Sequence, residues 1–288
     1  MMKTTQQQFK PGKILLAVDG SPSSKAAAYA AIQIASEMQW DLHALYIVDV
    51  TDVFDIYTDT SKELSELEDE TLRERKIGLF KEQGSLALTE IEGICQGMNI
   101  PVTTEIRFGG VPETILKTSK DYNLLSIGRR GNRHSKKGKH LGSNFKQIAH
   151  HTHIPLLIGG SHYMPRKFQR ALLAYDGNQL SHEALQWAEK LQCLFRTVVV
   201  LSVEKENERD HTWLADQHEE IEESVLTQYE FIRAAGNPGH MIVSKALAEG
   251  TDLILMGAYR HTNLLRWARH STIDTVLRET DLPVLAIK

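Results

Sequence analysis

The sequence contains the same order of landmarks twice, and this internal repeat limits the possible folds more than any other feature. An apolar run ending in Asp-Gly opens each copy, first at residues 13–20 and again at residues 170–177. An alanine-rich helical pattern follows each run. In the first copy, Ser21 supplies an N-cap and Pro22 a first-turn proline for that helix. The matched order predicts a duplicated domain.

Further short apolar runs recur in both copies. They are residues 44–48, 124–128 and 154–158 in the first copy, and residues 198–203, 253–257 and 282–286 in the second. Short apolar strands that alternate with helices predict a parallel sheet covered on both faces, with right-handed crossovers. The sequence therefore predicts two tandem doubly wound α/β domains, residues 1–160 and 161–288, each with five strands and four helices.

The two copies differ between their second and third strands. The first copy carries a long charged stretch, residues 60–96, with near-helical spacing of its apolar residues, whereas the corresponding stretch of the second copy, residues 213–226, is much shorter. A charged helix of this kind is usually a solvated face, and a partner-binding surface is the alternative.

Composition excludes several functional classes. A formal net charge of −4 argues against a protein that coats nucleic acid, and no apolar run reaches the roughly 20 residues that span a bilayer. Residues 1–12 are polar and do not form a secretory signal. The two cysteines, Cys95 and Cys193, are far apart and form no CxxC motif. We therefore expect a protein of the reducing cytoplasm.

Candidate ligand-binding residues cluster where the predicted strands end. In open parallel sheets, ligands bind beyond the carboxyl ends of the strands, near the point where strand order reverses. Asp19 follows the first strand, and Leu42 begins the second, where backbone groups could hold a base. After the fourth strand comes a loop from Gly128 to Gly131, then ten residues, then Gly142-Ser143 opening a helix.

This glycine pattern suits the phosphates of a nucleotide. Glycines let the backbone approach phosphate oxygens closely, and successive amides form an anion-binding nest. The following helix adds free N–H groups and the positive end of its dipole, and Ser143 adds a hydroxyl. Asp19 suits a ribose hydroxyl or a magnesium ion that bridges phosphates. The loop is also basic, with Arg129, Arg130, Arg133, Lys136, Lys137 and Lys139.

Over residues 12–160 and 168–288, these landmarks resemble the universal stress protein family, specifically its tandem-domain members. The nucleotide-binding subgroup of this family carries the same glycine pattern, with nine residues between the second glycine and Gly-Ser where this sequence has ten. The resemblance implies an adenine nucleotide alpha hydrolase-like fold with strand order 3-2-1-4-5. It also implies that the strands at residues 155–158 and 283–287 pair across an intramolecular pseudo-dimer. The implied positions for ATP, with or without Mg²⁺, are Val18, Asp19, Leu42, Gly128, Arg130, Gly131, Gly142 and Ser143.

The second copy departs from this pattern, because Arg260 replaces the second glycine and His270-Ser271 replaces Gly-Ser. Side chains there would occupy the place of phosphate, so we interpret this copy as a pseudo-site, in which Asp176 braces the strand end. An anionic ligand recruited by Arg260 is the alternative.

Other sequence motifs are weaker indicators of function. No Walker A loop or GxSxG elbow occurs. The histidine cluster at residues 150–153 is better explained by its helix end than by a metal, and phosphate binding accounts for the basic loop better than nucleic acid does.

The leading hypothesis is therefore a cytoplasmic stress-response protein that binds ATP as a signal or structural ligand. The alternatives are an apo scaffold that recruits protein partners, with or without further homodimerisation, and a slow ATP hydrolase, for which no acid/base constellation is evident.

Overall fold

The computed structural model describes residues 12–49, 66–131, 140–160, 167–204, 228–258 and 271–288. The first half contains β1 (Lys13–Val18), α1 (Pro22–Met38), β2 (Asp41–Asp49), α2 (Glu66–Gly97), β3 (Val102–Gly109), α3 (Val111–Ser119), β4 (Leu124–Gly128), α4 (Ser143–His151) and β5 (Leu156–Gly159). The second half contains β6 (Arg170–Ala174), α5 (Gln179–Lys190), β7 (Thr197–Glu204), β8 (Tyr229–Ala235), α6 (Pro238–Ala248), β9 (Leu253–Gly257), α7 (Thr272–Glu279) and β10 (Val284–Ile287).

The strands form one continuous sheet in the order β3-β2-β1-β4-β5-β10-β9-β6-β7-β8. The first half therefore has the expected order 3-2-1-4-5, and the second repeats it. Neighbouring strands within each half are parallel. The halves meet at β5 and β10, which pair antiparallel with Leu157 opposite Leu285. This seam confirms the pairing that the family resemblance implies.

Alternate residues of each strand pack against opposite faces of the sheet, which explains why the strands read as continuous apolar runs. Ile14 and Leu16 of β1 pack with α1, α2 and α5 on one face. Leu15 and Ala17 pack with α3, α4, α6 and α7 on the other.

The charged stretch of the first half is a single helix, α2, whose range agrees with the sequence prediction from residue 66 onward. Residues 60–65 lie outside the described residues, as does the shorter counterpart at residues 213–226. Across the part of the chain that the structure describes, no helix combines the length and apolar character that a membrane crossing requires.

Two of the four tryptophans pack where the halves meet. The rings of Trp40, in the first half, and Trp187, in the second, meet edge to face with centroids 6.1 Å apart. Lys190 Nζ lies 4.6 Å from each ring centroid, a cation–π contact with both. These two tryptophans are therefore packing residues; Trp213 and Trp267 fall outside the described residues.

The two cysteines should differ sharply in reactivity. Cys95 is fully buried, and burial, together with the charge of Glu92, raises the pKa of its thiol to about 11. Cys193 is exposed. Because the thiolate is the reactive form, we expect a water-soluble disulfide reagent at pH 8 to label one thiol in the native protein and two after denaturation. Native labelling should disappear in Cys193→Ser; rapid labelling of both thiols in the native protein would contradict this.

Candidate functional site

The candidate site lies at the carboxyl ends of β1 and β4, which are adjacent in the sheet. Asp19 follows β1, and Gly128 ends β4, so parallel pairing brings both to one edge. The strand order reverses at this point, since β2 lies on one side of β1 and β4 on the other. This is the edge at which open α/β sheets bind ligands.

A turn rich in serine ties β1 and α1 to the loop after β4. Asp19 Oδ1 accepts a hydrogen bond from the Ser21 amide at 2.9 Å, and Ser21 Oγ donates to the carbonyl of Arg130 at 3.0 Å. Ser23 Oγ accepts from the Arg129 amide at 2.8 Å. The sequence interpretation gave Ser21 only a capping role and missed Ser23. The signal was the serine run directly after Asp19-Gly20.

Two separated glycines come together beside this turn. A Cβ atom added to Gly131 would lie 3.1 Å from Asp19 Oδ2. One added to Gly142 would lie 3.5 Å from the Arg129 carbonyl oxygen and 3.8 Å from the Gly131 nitrogen. The Gly142 amide donates to that same Arg129 carbonyl at 3.0 Å, which closes the base of the loop. The structure thus brings Asp19, Gly131 and Gly142 into one backbone-lined corner.

Helix α4 begins at this corner. Its N-cap is Gly142, and its first turn contains no acidic residue. Ser143 is the first helical residue and is exposed. The free N–H groups and the positive end of the helix dipole therefore lie next to the glycine loop, an arrangement that favours an anion.

The two arginines of the loop have different surroundings. Arg130 is half-buried, and its Nε is a buried atom without a hydrogen-bond partner among the described residues. Arg129 is only 1% exposed, so its predicted role as a basic phosphate-loop side chain is wrong. Its Nε donates to the Gly159 carbonyl at 3.0 Å, and its Nη1 donates to the carbonyls of Leu277 and Thr280 in the second half.

Burial lowers the pKa of the Arg129 guanidinium to about 10. The charge of Arg130 lowers this pKa further, and Asp281 opposes the shift. The group is therefore charged at neutral pH, and the backbone carbonyls solvate it in place of water.

Leu42 is not at this site, which corrects the sequence prediction. In the register of the sheet, Leu42 pairs with Ile14 near the start of β1, whereas Val18 pairs with Tyr46. Leu42 is also only 2% exposed. Because β2 runs parallel to β1, the β2 residues closest to Asp19 lie after Tyr46, at the end of the strand. Val18, in contrast, directly precedes Asp19 and is at the correct edge.

The middle of the loop, residues 132–139, lies outside the described residues. The predicted basic side chains of Arg133, Lys136, Lys137 and Lys139 belong to it. In the second half, Arg260 and His270 also fall outside the described part. Among the described residues, no group of three or more His, Cys, Asp or Glu side chains is placed to hold a metal ion.

The second half has a cavity of about 530 Å³ at the equivalent sheet edge, lined in part by Asp176, Glu204 and Gly257. Its helix α7 begins differently from α4. Ser271 Oγ caps the helix by accepting from the Asp274 amide at 3.2 Å, and Asp274 places a negative charge in the first turn. Asp176 is itself engaged in its turn, accepting from the amide and side chain of Asn178.

Together, the fold and the site define a tandem α/β protein with a glycine-lined, anion-compatible corner in its first half. The universal stress protein family profile matches residues 11–158 and again residues 167–288. The chain therefore belongs to the universal stress protein family.

Individual relatives agree with this assignment. The chain is 26% identical to the universal stress protein Slr1230 of Synechocystis sp., across 96% of this chain and 99% of that protein. It is 30% identical to the universal stress protein MJ0531 of Methanocaldococcus jannaschii, across 51% of this chain and 80% of that protein. A universal stress protein structure from Archaeoglobus fulgidus superposes with a TM-score of 0.73 at 19% identity, covering 97% of this chain and 99% of that one, which shows a shared fold.

Proposed function

We propose that this chain is a cytoplasmic stress-response protein that binds an adenine nucleotide, ATP with or without Mg²⁺, in its first half. The nucleotide serves as a signal or structural ligand. Family membership supports the stress-response role. The two free thiols, Cys95 and Cys193, suit a reducing compartment.

The contrast between the two equivalent helix N-termini carries this proposal. In the first half, the N-cap is Gly142, and Lys146 places a positive charge one turn into α4. In the second half, Ser271 is the N-cap of α7, and Asp274 occupies the position of the repeat that is equivalent to Lys146. A carboxylate and a side-chain cap compete with a phosphate for the same N–H groups, so the first half favours an anion and the second disfavours one.

The residues of the first half fit the phosphates and ribose of a nucleotide. The buried Nε of Arg130, which has no hydrogen-bond partner among the described residues, offers a donor at the base of the loop. Among the described residues, and apart from the chain neighbours of Gly131, the atom within 4 Å of an added Cβ is Asp19 Oδ2. Gly128, Gly131, Gly142 and Ser143 would hold phosphate oxygens, and Asp19, next to Val18, would face the ribose or a bound magnesium ion.

Binding is a better assignment than hydrolysis. Asp19 is the acidic side chain that the described residues place at this corner, and its Oδ1 already accepts the Ser21 amide. Hydrolysis of ATP needs a base that orients water at the terminal phosphate, whereas Asp19 lies at the β1 end of the site. The proposal therefore includes no catalytic residue.

The proposal is tested by isothermal titration of ATP, AMP and adenosine onto the wild-type chain, with and without magnesium. We expect one ATP per chain and affinity that falls from ATP to AMP to adenosine, because each phosphate adds contacts to the loop and to α4. Two ATP molecules per chain would show that the second half also binds nucleotide. An absence of ATP binding would overturn the proposal and favour a scaffold built on the β5–β10 seam.

A further inference from the structure

Arg129 lies inside the glycine loop, but its side chain leaves the first half. Its main chain is part of the loop, because its carbonyl accepts the Gly142 amide and its amide donates to Ser23 Oγ. Its guanidinium donates to the carbonyls of Leu277 and Thr280, at the carboxyl end of α7. One residue therefore joins the base of the loop to the last helix of the other half.

The second half makes a corresponding contact with the first half, but through a different residue. Lys288, after β10, donates from Nζ to the carbonyl of Ala149 near the end of α4. Ala149 and Leu277 are equivalent in the repeat, since each lies six residues before the proline that opens the last strand of its half. Each half thus places a cation at the carboxyl end of the other half's last helix, where the helix dipole favours positive charge.

The two cations come from different positions of the repeat. Alignment of the glycines that end β4 and β9 puts Ala258 opposite Arg129, and alignment of the strand prolines puts Gly160 opposite Lys288. A Cβ atom at Gly160 would lie 3.5 Å from Arg129 Nη2, an ordinary contact, and 2.0 Å from the Asp281 carbonyl oxygen, so the close approach at this glycine is to the main chain of the second half. Only Arg129 of the pair belongs to the glycine loop. The cross-half contact of Lys288 is made from the residue that follows the last strand.

We infer that Arg129 is a positioning residue that makes the phosphate-binding loop of the first half depend on the docking of the second half. With its guanidinium fixed at the end of α7, the Arg129 carbonyl is held where it can accept the Gly142 amide. That hydrogen bond sets the distance between Gly131 and the start of α4. The consequence for ligand affinity rests on the proposed nucleotide function, whereas the effect on the loop itself does not.

Two other charged groups bear on this contact. Arg130, next in the chain, repels the guanidinium, and Asp281, which follows the Thr280 carbonyl, attracts it. The peptide carbonyls of Gly159, Leu277 and Thr280 accept from Nε and Nη1, whereas Nη2 is buried without a hydrogen-bond partner among the described residues. Methionine at position 129 would keep much of the side-chain volume but would remove the N–H donors of the guanidinium. The three carbonyls would then lose the hydrogen bonds that they accept from Arg129.

The experiment compares Arg129→Met with Lys288→Met, a matched control that removes the reciprocal cross-half cap without touching the loop. Amide hydrogen exchange is measured first on the nucleotide-free proteins. We expect the Gly142 amide to exchange about tenfold faster or more in Arg129→Met and unchanged in Lys288→Met. Amides after Leu277 should lose protection in the first variant, and those after Ala149 in the second.

ATP titration then tests the consequence for the ligand. We expect the dissociation constant to rise about tenfold in Arg129→Met and to stay within about twofold of wild type in Lys288→Met. Should Arg129→Met not fold, Arg129→Lys takes its place, because lysine keeps the charge but lacks the forked donors of the guanidinium. The Gly142 amide should then also exchange faster than in the wild type.

The possible outcomes separate the two proposals. Equal Gly142 exchange in both methionine variants, or unchanged exchange in Arg129→Met, overturns the positioning role whatever ATP does. Faster Gly142 exchange with unchanged ATP affinity overturns the claim that ligand binding by the loop depends on the docking of the second half. If wild type binds no ATP while Gly142 exchange responds as expected, the nucleotide proposal fails and the positioning of the loop by Arg129 stands.

Discussion

Replacement of Gly131 by valine is expected to raise the dissociation constant for ATP by about 100-fold or more, which corresponds to about 3 kcal/mol. A Cβ at this position already lies 3.1 Å from Asp19 Oδ2, and the two methyl groups of valine would extend into the corner between Asp19 and α4. That corner is the space proposed for the phosphates, so the valine and the ligand would compete for it.

The fold should tolerate this change. The backbone of Gly131 is not in the left-handed region, so a side chain there causes no conformational strain. The measurement is ATP titration, together with thermal unfolding to establish that the variant is folded. Gly78→Val is the matched control, because a Cβ at Gly78 in α2 meets none of the described residues within 4 Å. ATP binding by a folded Gly131→Val at wild-type affinity would show that the glycine loop does not hold the phosphates.

The strand order could be predicted because its cause is local and repeated. Each strand is a short apolar run that is buried on both faces, and the same landmarks occur in both copies, so an error in one copy would be corrected by the other. The β5–β10 seam, in contrast, came from the family resemblance. The apolar runs of β5 and β10 are compatible with either a parallel or an antiparallel neighbour.

Leu42 shows how strand direction can mislead. The sequence prediction placed Leu42, at the beginning of β2, at the site, where backbone groups could hold a base. In a parallel sheet, however, the chain must return to the amino edge before the next strand begins, so the start of β2 lies a full strand length from Asp19. Tyr46, opposite Val18, marks the point on β2 from which a contact with the base could begin.

Arg129 could not be interpreted correctly from its neighbours. In the sequence, an arginine between glycines looks like a residue that binds phosphate. The carbonyls that accept its hydrogen bonds belong to Leu277 and Thr280, about 150 residues further along the chain. The cap of α7 is a different case. Ser271 and Asp274 have the spacing of a capping box, so the sequence already contained the evidence that this helix start is occupied by its own side chains.

Gly160→Ala is expected to lower the free energy of unfolding by about 3 kcal/mol or more. A Cβ at Gly160 would lie 2.0 Å from the carbonyl oxygen of Asp281 and 3.0 Å from its carbonyl carbon, both main-chain atoms of the second half. Because a backbone carbonyl cannot move aside as a flexible side chain can, the α7–β10 turn must shift away from β5. That shift would also pull Thr280 from Arg129, so the steric cost and the lost hydrogen bond arise together.

Urea unfolding followed by circular dichroism measures this effect, with Gly93→Ala as the control. Gly93 lies in α2, and no atom of the described residues comes within 4 Å of a Cβ added there. Alanine at this position should therefore stabilise the protein by about 0.5–1 kcal/mol through its better helix propensity. The same chemical change should therefore have opposite signs at the two sites. A Gly160→Ala protein as stable as Gly93→Ala would mean that the halves do not approach each other as closely at this glycine as the structure places them. The dependence of the loop on the second half through Arg129 would then lose its geometric basis.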